Sequence, residues 1–196
     1  MPRPRKFDES AVLAAARDQF WSAGYAGTTM DAVAAATDLG KGSLYGAFGG
    51  KQELFHRVFD DYCAQAEDGV RRELTGPDEE AFARLTAHVH GIAASVAADT
   101  AHRGCLLAKG TAELAEHDPV VAARALRTFD ELERLLVADI EACQRHGDLS
   151  PGADPHRLAA LVLTVLRGME ALGKAGKDAR FLEAVAESAL AALPRP

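Results

Sequence analysis

Cysteine is scarce in this chain: Cys63, Cys105 and Cys143 are the only three among 196 residues, an odd number set far apart. That excludes a disulfide framework and a CxxC zinc pattern, and it suits a reducing cytoplasm. Long apolar runs are also missing. The strongest, Leu158 to Leu166, has nine residues, too few to span a bilayer, and the N-terminus lacks the apolar stretch of a secretion signal. No alternating run bounded by turns marks a strand, and no internal repeat is visible. A phosphate loop, a nucleophile–base pattern and paired carboxylates are absent, which argues against an enzyme. The seven histidines are scattered, and His88 and His90 stand two apart, off a common helical face. Neither a metal nor a cofactor is expected.

Aromatic residues are few and unevenly placed. Nine of the twelve lie between Phe7 and Tyr62. A small domain has few core positions and fills them with large side chains. The Ala-rich remainder favours long helices packed closely. The net charge of −7 disfavours a nucleic-acid partner at first sight. Its distribution reverses that impression: residues 1–51 carry six Lys/Arg against five Asp/Glu, and the remainder 16 against 24. DNA binding answers to local charge, so a neutral-to-basic head on an acidic body is compatible with it.

The pattern predicts an all-α protein of about nine helices. A first helix from Asp8 to Ala23 is capped by Asp8, turns Leu13, Ala16 and Phe20 inward and ends at Gly24. Thr28 and Thr29 offer caps for a short helix from Met30 to Ala36, and a turn at Asp38–Leu39–Gly40 leads to another from Lys41 to Phe48. Gly49–Gly50 breaks the chain before a fourth helix, with Glu53 placed to reach back as half of a capping box. Further helices cover Leu85 to Val96, Cys105 to Leu114, Pro119 to Gly147, Leu158 to Leu172 and Phe181 to Leu193. The composition shift divides the chain into a DNA-binding part, 1–51, and a larger helical part, 52–196.

Two short helices joined by a tight turn in a three-helix unit make a helix-turn-helix. In its second helix, Gly42, Ser43, Gly46 and Ala47 are small enough to let the backbone approach a duplex, while Leu44 and Phe48 anchor it. Lys41, Tyr45 and Lys51 can reach phosphates, and the helix starts at Thr29 and Lys51 add oriented N–H donors. A glycine-rich connector in a helical protein is the competing reading. The run Gly24-Tyr25-Ala26-Gly27-Thr28-Thr29-Met30-Asp31-Ala32-Val33-Ala34, followed by Gly40-Lys41-Gly42-Ser43-Leu44-Tyr45-Gly46-Ala47-Phe48-Gly49-Gly50-Lys51-Gln52-Glu53-Leu54-Phe55, resembles the N-terminal domain of the TetR family over about Asp8 to Phe59.

That resemblance implies a repressor-like homodimer in the cytoplasm. It also implies a C-terminal part that responds to a small-molecule effector; two-fold symmetry adds an inverted-repeat DNA operator, the surroundings of Cys105 add an electrophile or oxidant as the alternative signal, and the lack of a long apolar run leaves no membrane partner. By position, Thr29 and Lys51 meet phosphates, Gly42 and Ser43 face bases, and Tyr45 touches phosphate or base edges. Three positions depart from the family pattern. Asp38 replaces a turn glycine but tolerates a left-handed backbone. Gly46 replaces a large residue, and Gly50 replaces a serine cap. The basic segment Pro2–Lys6 reads either as an arm reaching a minor groove or as a solvated tail.

The remainder resembles the family in layout only, with an echo in Arg103-Gly104-Cys105-Leu106-Leu107. By layout the last two helices pair with their copies, through Leu158, Leu161, Val162, Val165 and Met169. An ordinary core helix would show the same stripe. Cys105 follows His102 and Arg103 at a helix start, where a thiolate is favoured, and so is a candidate sensor. The bland reading is a buried, inert thiol. The competing sensor is an apolar pocket lined by Phe82, Leu85, Val89 and Phe129. Two other readings stay open: an all-helical enzyme or carrier with an idle N-terminal domain, and a protein-interaction module.

Overall fold

The computed structural model describes residues 8–37 and 39–196. The Pro2–Lys6 arm and the Asp38 turn lie outside the described residues. Among those described there are nine α-helices, one 3-10 turn at Asp78–Glu80 and no strand. The helices are α1 (Glu9–Gly27), α2 (Met30–Thr37), α3 (Lys41–Phe48), α4 (Lys51–Glu73), α5 (Ala81–Ala98), α6 (Leu106–Leu114), α7 (Pro119–His146), α8 (Pro155–Lys174) and α9 (Ala179–Ala191). They gather into two compact units. The first comprises Met1–Cys63 and Leu106–Ala125, the second Ala64–Cys105 and Leu126–Pro196, so the boundaries fall inside α4, at the start of α6 and inside α7.

In the first unit the expected caps form. The Asp8 carboxylate accepts from the N–H groups of Ser10 and Ala11, and Glu53 Oε2 accepts from Gly50 N at 2.9 Å. The core is aromatic, as the crowding of Phe and Tyr into this segment implies. The Phe55 ring meets Phe20 edge-on at 5.0 Å and Tyr25 at 5.2 Å, and stacks on Phe59 at 5.5 Å. Two details of α1 differ from expectation. Val12 is buried with Ala16 and Phe20, while Leu13 is half-buried; a spacing of four, kept through all three, selects the inward face. The chain also kinks at Gly24 (φ 77°, ψ 173°) and adds a further turn to Gly27.

Two side chains of α6 hold the kinked backbone. Glu113 Oε2 accepts from Tyr25 N at 2.6 Å, and Lys109 Nζ donates to the carbonyls of Trp21 (2.8 Å) and Ser22 (3.3 Å). These side chains satisfy backbone groups that the kink removes from the helical ladder. Gly110 brings α6 close to the aromatic rings: a Cβ there would lie 2.7 Å from Phe59 Cε2 and 3.2 Å from Phe55 Cζ.

In the second unit α5 packs against α8 and α9. Leu85, Val89, Ile140, Leu166, Met169 and Leu182 form its core, with Ala93, Ala159 and Ala186 buried among them. Small buried residues let helix axes approach closely, which is what the Ala-rich composition provides. One ion pair is sunk into this unit: Arg84 donates to Asp139 Oδ1 from Nε (3.2 Å) and Nη2 (2.9 Å), and its Nη1 donates to the Pro77 carbonyl at 2.7 Å.

Candidate nucleic-acid interface

The helix pair α2–α3 turns Met30, Val33, Leu44 and Phe48 inward, all buried. That leaves one face of α3 outward, and Lys41, Gly42, Ser43, Tyr45 and Gly46 are all exposed. Tyr45 keeps 52% of its surface accessible although it is large and partly apolar. Its neighbours Gly42 and Gly46 have φ in the ordinary range, and among the described residues a Cβ on either would meet nothing within 4 Å. A glycine inside a helix costs about 1 kcal/mol relative to alanine. Here nothing among the described residues requires either one.

Thr29 Oγ1 accepts from Ala32 N at 3.1 Å and caps α2, while the neighbouring Thr28 is buried and donates its hydroxyl to the Gly24 carbonyl at 2.7 Å. Between the start of α2 and α3 lies an open groove of about 340 Å³, lined by Ala26, Thr28, Thr29, Met30, Asp31, Lys41, Tyr45 and Lys51. It thus brings together Thr29, Lys41, Tyr45 and Lys51, four of the six residues expected to contact DNA. Lys51 Nζ lies 4.4 Å from the Tyr25 ring centroid and 3.5 Å from the Ala26 carbonyl. Burial, and after it the Asp118 and Glu53 carboxylates, hold the Tyr25 hydroxyl above its ordinary pKa. Tyr25 therefore meets the lysine as a neutral ring. Asp31, which sequence reasoning passed over, is ion-paired with Lys41 in this groove. An acidic residue in the first turn of a helix reads from sequence as an ordinary dipole partner; only the fold places it opposite a lysine of α3.

The base of α4 is tied down nearby. Asp118 caps α7 by accepting from Val120 N and Val121 N, and its Oδ2 also accepts from Gln52 Nε2 (2.9 Å) and lies 2.7 Å from His56 Nε2. Burial pushes this carboxyl up, but the bonds from Gln52 and His56 outweigh it and bring it to about 2.

The residues expected to sense a signal or pair subunits belong to the second unit. Leu85 and Val89 are core residues, Phe129 is half-buried, and Phe82 packs against the core with the Arg195 guanidinium 3.7 Å from its ring centroid. Cys105 immediately precedes α6 and is half-buried. His102 and Arg103 have partners of their own, the Gly173 carbonyl at 3.2 Å and Asp99 at 3.8 Å. The thiol meets two residues of α8: Arg167 Nη1 lies 3.7 Å from Sγ, and the thiol is hydrogen-bonded to Glu170. Burial pushes the Glu170 carboxyl up, while Arg167 and the thiol draw it back. Along α8, Leu161 and Leu172 are exposed, Leu158 and Val165 half-buried, and Val162 and Met169 buried in the core. Among the described residues no helix is long and apolar enough to cross a membrane.

Comparison with known proteins agrees with this geometry. Residues 12–58 match the family described as bacterial regulatory proteins, tetR family, and residues 81–189 match the tetracyclin repressor-like C-terminal domain. The HTH-type transcriptional repressor ComR of Escherichia coli (strain K12) is 24% identical over 192 residues, covering 98% of this chain and 91% of ComR. A cysteine mutant of the TetR family transcriptional regulator CifR, solved with a 26 bp double-strand operator DNA, is 30% identical. It superposes with a TM-score of 0.83 over 98% of this chain and 100% of that one. A TetR transcriptional regulator from Chloroflexus aurantiacus, 24% identical with a TM-score of 0.82 over 93% of this chain and 91% of its own, has the same fold. The chain is not an enzyme; it belongs to the TetR family of DNA-binding transcriptional regulators.

Proposed function

We propose that this regulator is a cytoplasmic repressor that grips an inverted-repeat operator as a homodimer and lets go when a signal reaches residues 52–196. Residues 1–51 do the gripping. The observation that carries the DNA-reading assignment is the outward face of α3. Two helix-weakening glycines with no role among the described residues, one beside Ser43 and the other beside Tyr45, make sense when an external surface comes close to the backbone. In the major groove Gly42 and Ser43 face base edges, Tyr45 a base edge or phosphate, and Lys41, Lys51 and the capped start of α2 at Thr29 face phosphates. Repression is supported by the names of relatives such as ComR.

The homodimer rests on α8. Leu158, Leu161, Val165 and Leu172 follow one another at spacings that keep to one helical face, the half-buried and exposed edge of the helix. The signal has two candidate entries. One is an apolar ligand among Phe82, Leu85, Val89 and Phe129; since Leu85 and Val89 are wholly buried, such a ligand has to open the core. The other is an electrophile or oxidant at Cys105, favoured by the contacts from Arg167 and Glu170: the guanidinium stabilises a thiolate and the carboxylate can accept the thiol proton. Modification adds bulk directly before α6, whose Lys109, Gly110 and Glu113 hold the end of α1 and the rings of α4.

Selection of bound duplexes from a random pool tests the assignment. Enrichment of an inverted repeat, with half-site centres about 34–36 Å apart or a multiple of that, is the expected result. A folded dimer that enriches nothing refutes it. Treating the DNA complex with a thiol-reactive compound then separates the two signal routes, since Cys105→Ser resists release only if the thiol is the sensor.

A further inference from the structure

The groove at the start of α2 gathers two lysines beside a capped helix start, yet it also contains a carboxylate. Thr29 caps α2, Lys51 lies at one side against the Tyr25 ring, and Lys41 comes from the first turn of α3. Asp31 stands in the first turn of α2 and is ion-paired with Lys41. Both side chains are open to water, with 60% of Lys41 and 63% of Asp31 accessible. A pair so exposed contributes little to folding, and α3 has no acidic residue of its own in its first turn to balance the lysine at its positive end. The consequence of the pair is therefore felt by whatever enters the groove.

We propose that Asp31 is an affinity-limiting residue for DNA: it neutralises Lys41 inside the groove, so that a phosphate arriving there meets one net positive charge, from Lys51, instead of two. DNA binding by basic groups is driven by release of counterions from the phosphates, and the number released follows the positive charge that replaces them. A lysine already matched by a carboxylate displaces none, and a carboxylate held against the backbone of DNA repels it. Because the effect acts through phosphates, it is the same for every sequence. It lowers the hold on operator and on bulk DNA together and leaves base preference to Gly42, Ser43 and Tyr45. The brake depends on neither the dimer nor the signal, only on the DNA-binding reading of this face.

Binding to a fluorescein-labelled duplex of mixed sequence, followed by anisotropy across a salt series, tests this without knowledge of the operator. The logarithm of affinity against the logarithm of salt should steepen by about 0.9 per subunit bound in Asp31→Asn, with affinity about five- to tenfold higher near 0.1 M salt. Lys41→Ala should flatten the slope by a similar amount, and the double variant should return to wild type, since the two charges cancel. Asp31→Ser, which retains a helix-start residue, should reproduce Asp31→Asn, and circular dichroism checks that α2 survives in each. Two results overturn the proposal: an Asp31→Asn slope equal to that of wild type, or a double variant that behaves as Lys41→Ala alone. A wild-type protein that holds no duplex at any salt overturns the DNA-binding reading along with it.

Discussion

Gly110→Ala separates local helix preference from packing, because the two predict opposite signs. Gly110 lies in the middle of α6 and is buried. Replacing a helical glycine by alanine gains about 1 kcal/mol where the methyl is free. Here the new Cβ would stand 2.7 Å from Phe59 Cε2, 3.1 Å from its Cδ2 and 3.2 Å from Phe55 Cζ. Those rings have nowhere to retreat: Phe20, Phe55 and Phe59 are all at most 1% exposed, and the centroid distances of 5.0 to 5.5 Å that link them leave no gap. Overpacking a tight core costs about 1–3 kcal/mol, and the absence of a soft neighbour puts this site in the upper half of that range. The net expectation is a loss of about 1–2 kcal/mol, a fall in melting temperature of a few degrees for a chain this size. Gly46→Ala is the internal control, since a Cβ there meets nothing within 4 Å and should gain about 0.5–1 kcal/mol. Both residues belong to the unit that contains the single tryptophan, Trp21, packed edge-on to Tyr62 at 5.3 Å. Urea unfolding followed by its fluorescence therefore reports both variants on one scale. A Gly110→Ala protein as stable as wild type, alongside the expected gain for Gly46→Ala, would refute the close approach of α6 to the α4 rings.

Three other outcomes follow from the same geometry. Burial pushes the Asp139 carboxyl up, with Arg84 drawing it only part of the way back, to about 6; against an unfolded value near 3.9 the raised pKa contributes stability below about pH 4 that is lost as pH rises through about 6, so the stability of Asp139→Asn relative to wild type should climb by about 2 kcal/mol between pH 4 and 7 in urea titrations, and a flat difference would contradict the burial of this charge. Leu161→Glu should sediment as a folded monomer with weak DNA binding, because Leu161 is 44% exposed and its loss spares the core; an intact dimer would move the interface elsewhere. Lys51→Ala should weaken binding to every duplex and flatten the salt dependence by about one phosphate's worth, whereas Ser43→Ala should change which bases are enriched in a selection.

Much of the DNA-binding half is legible because its signals are local. The Asp8 cap, the Gly50–Glu53 box and the positions of Leu44 and Phe48 follow from residues within four of one another. Apart from the choice of Val12 over Leu13, which a spacing of four settles, what sequence reasoning missed there arises from long-range partners. The extra turn after Gly24 depends on Glu113, 88 residues beyond Tyr25, and the Asp31–Lys41 pair depends on the angle at which α2 and α3 meet. No helical period encodes either.

The second unit shows the same limit more sharply. Spacing marks an apolar stripe on α8 but not which side of the stripe the core occupies. The fold divides it, sending Val162 and Met169 inward and leaving Leu161 and Leu172 outward, because α5 and α9 already cover one side. A broad stripe on an Ala-rich helix carries two faces at once, and only knowledge of the neighbours assigns them. Cys105 is the parallel case in chemistry. Adjacent His102 and Arg103 are the obvious modulators on paper, yet a loop turned by the left-handed His102 (φ 49°) and Gly104 (φ 67°) ties them to the Gly173 carbonyl and Asp99. The groups that bear on the thiol are Arg167 and Glu170, three apart on α8 and 62 and more residues away, where a guanidinium and a carboxylate at that spacing read as an ordinary surface pair. Their burial, 23% and 13% exposed, is what turns that pair into an environment for sulfur, since the same charges in open water would act on Sγ only weakly.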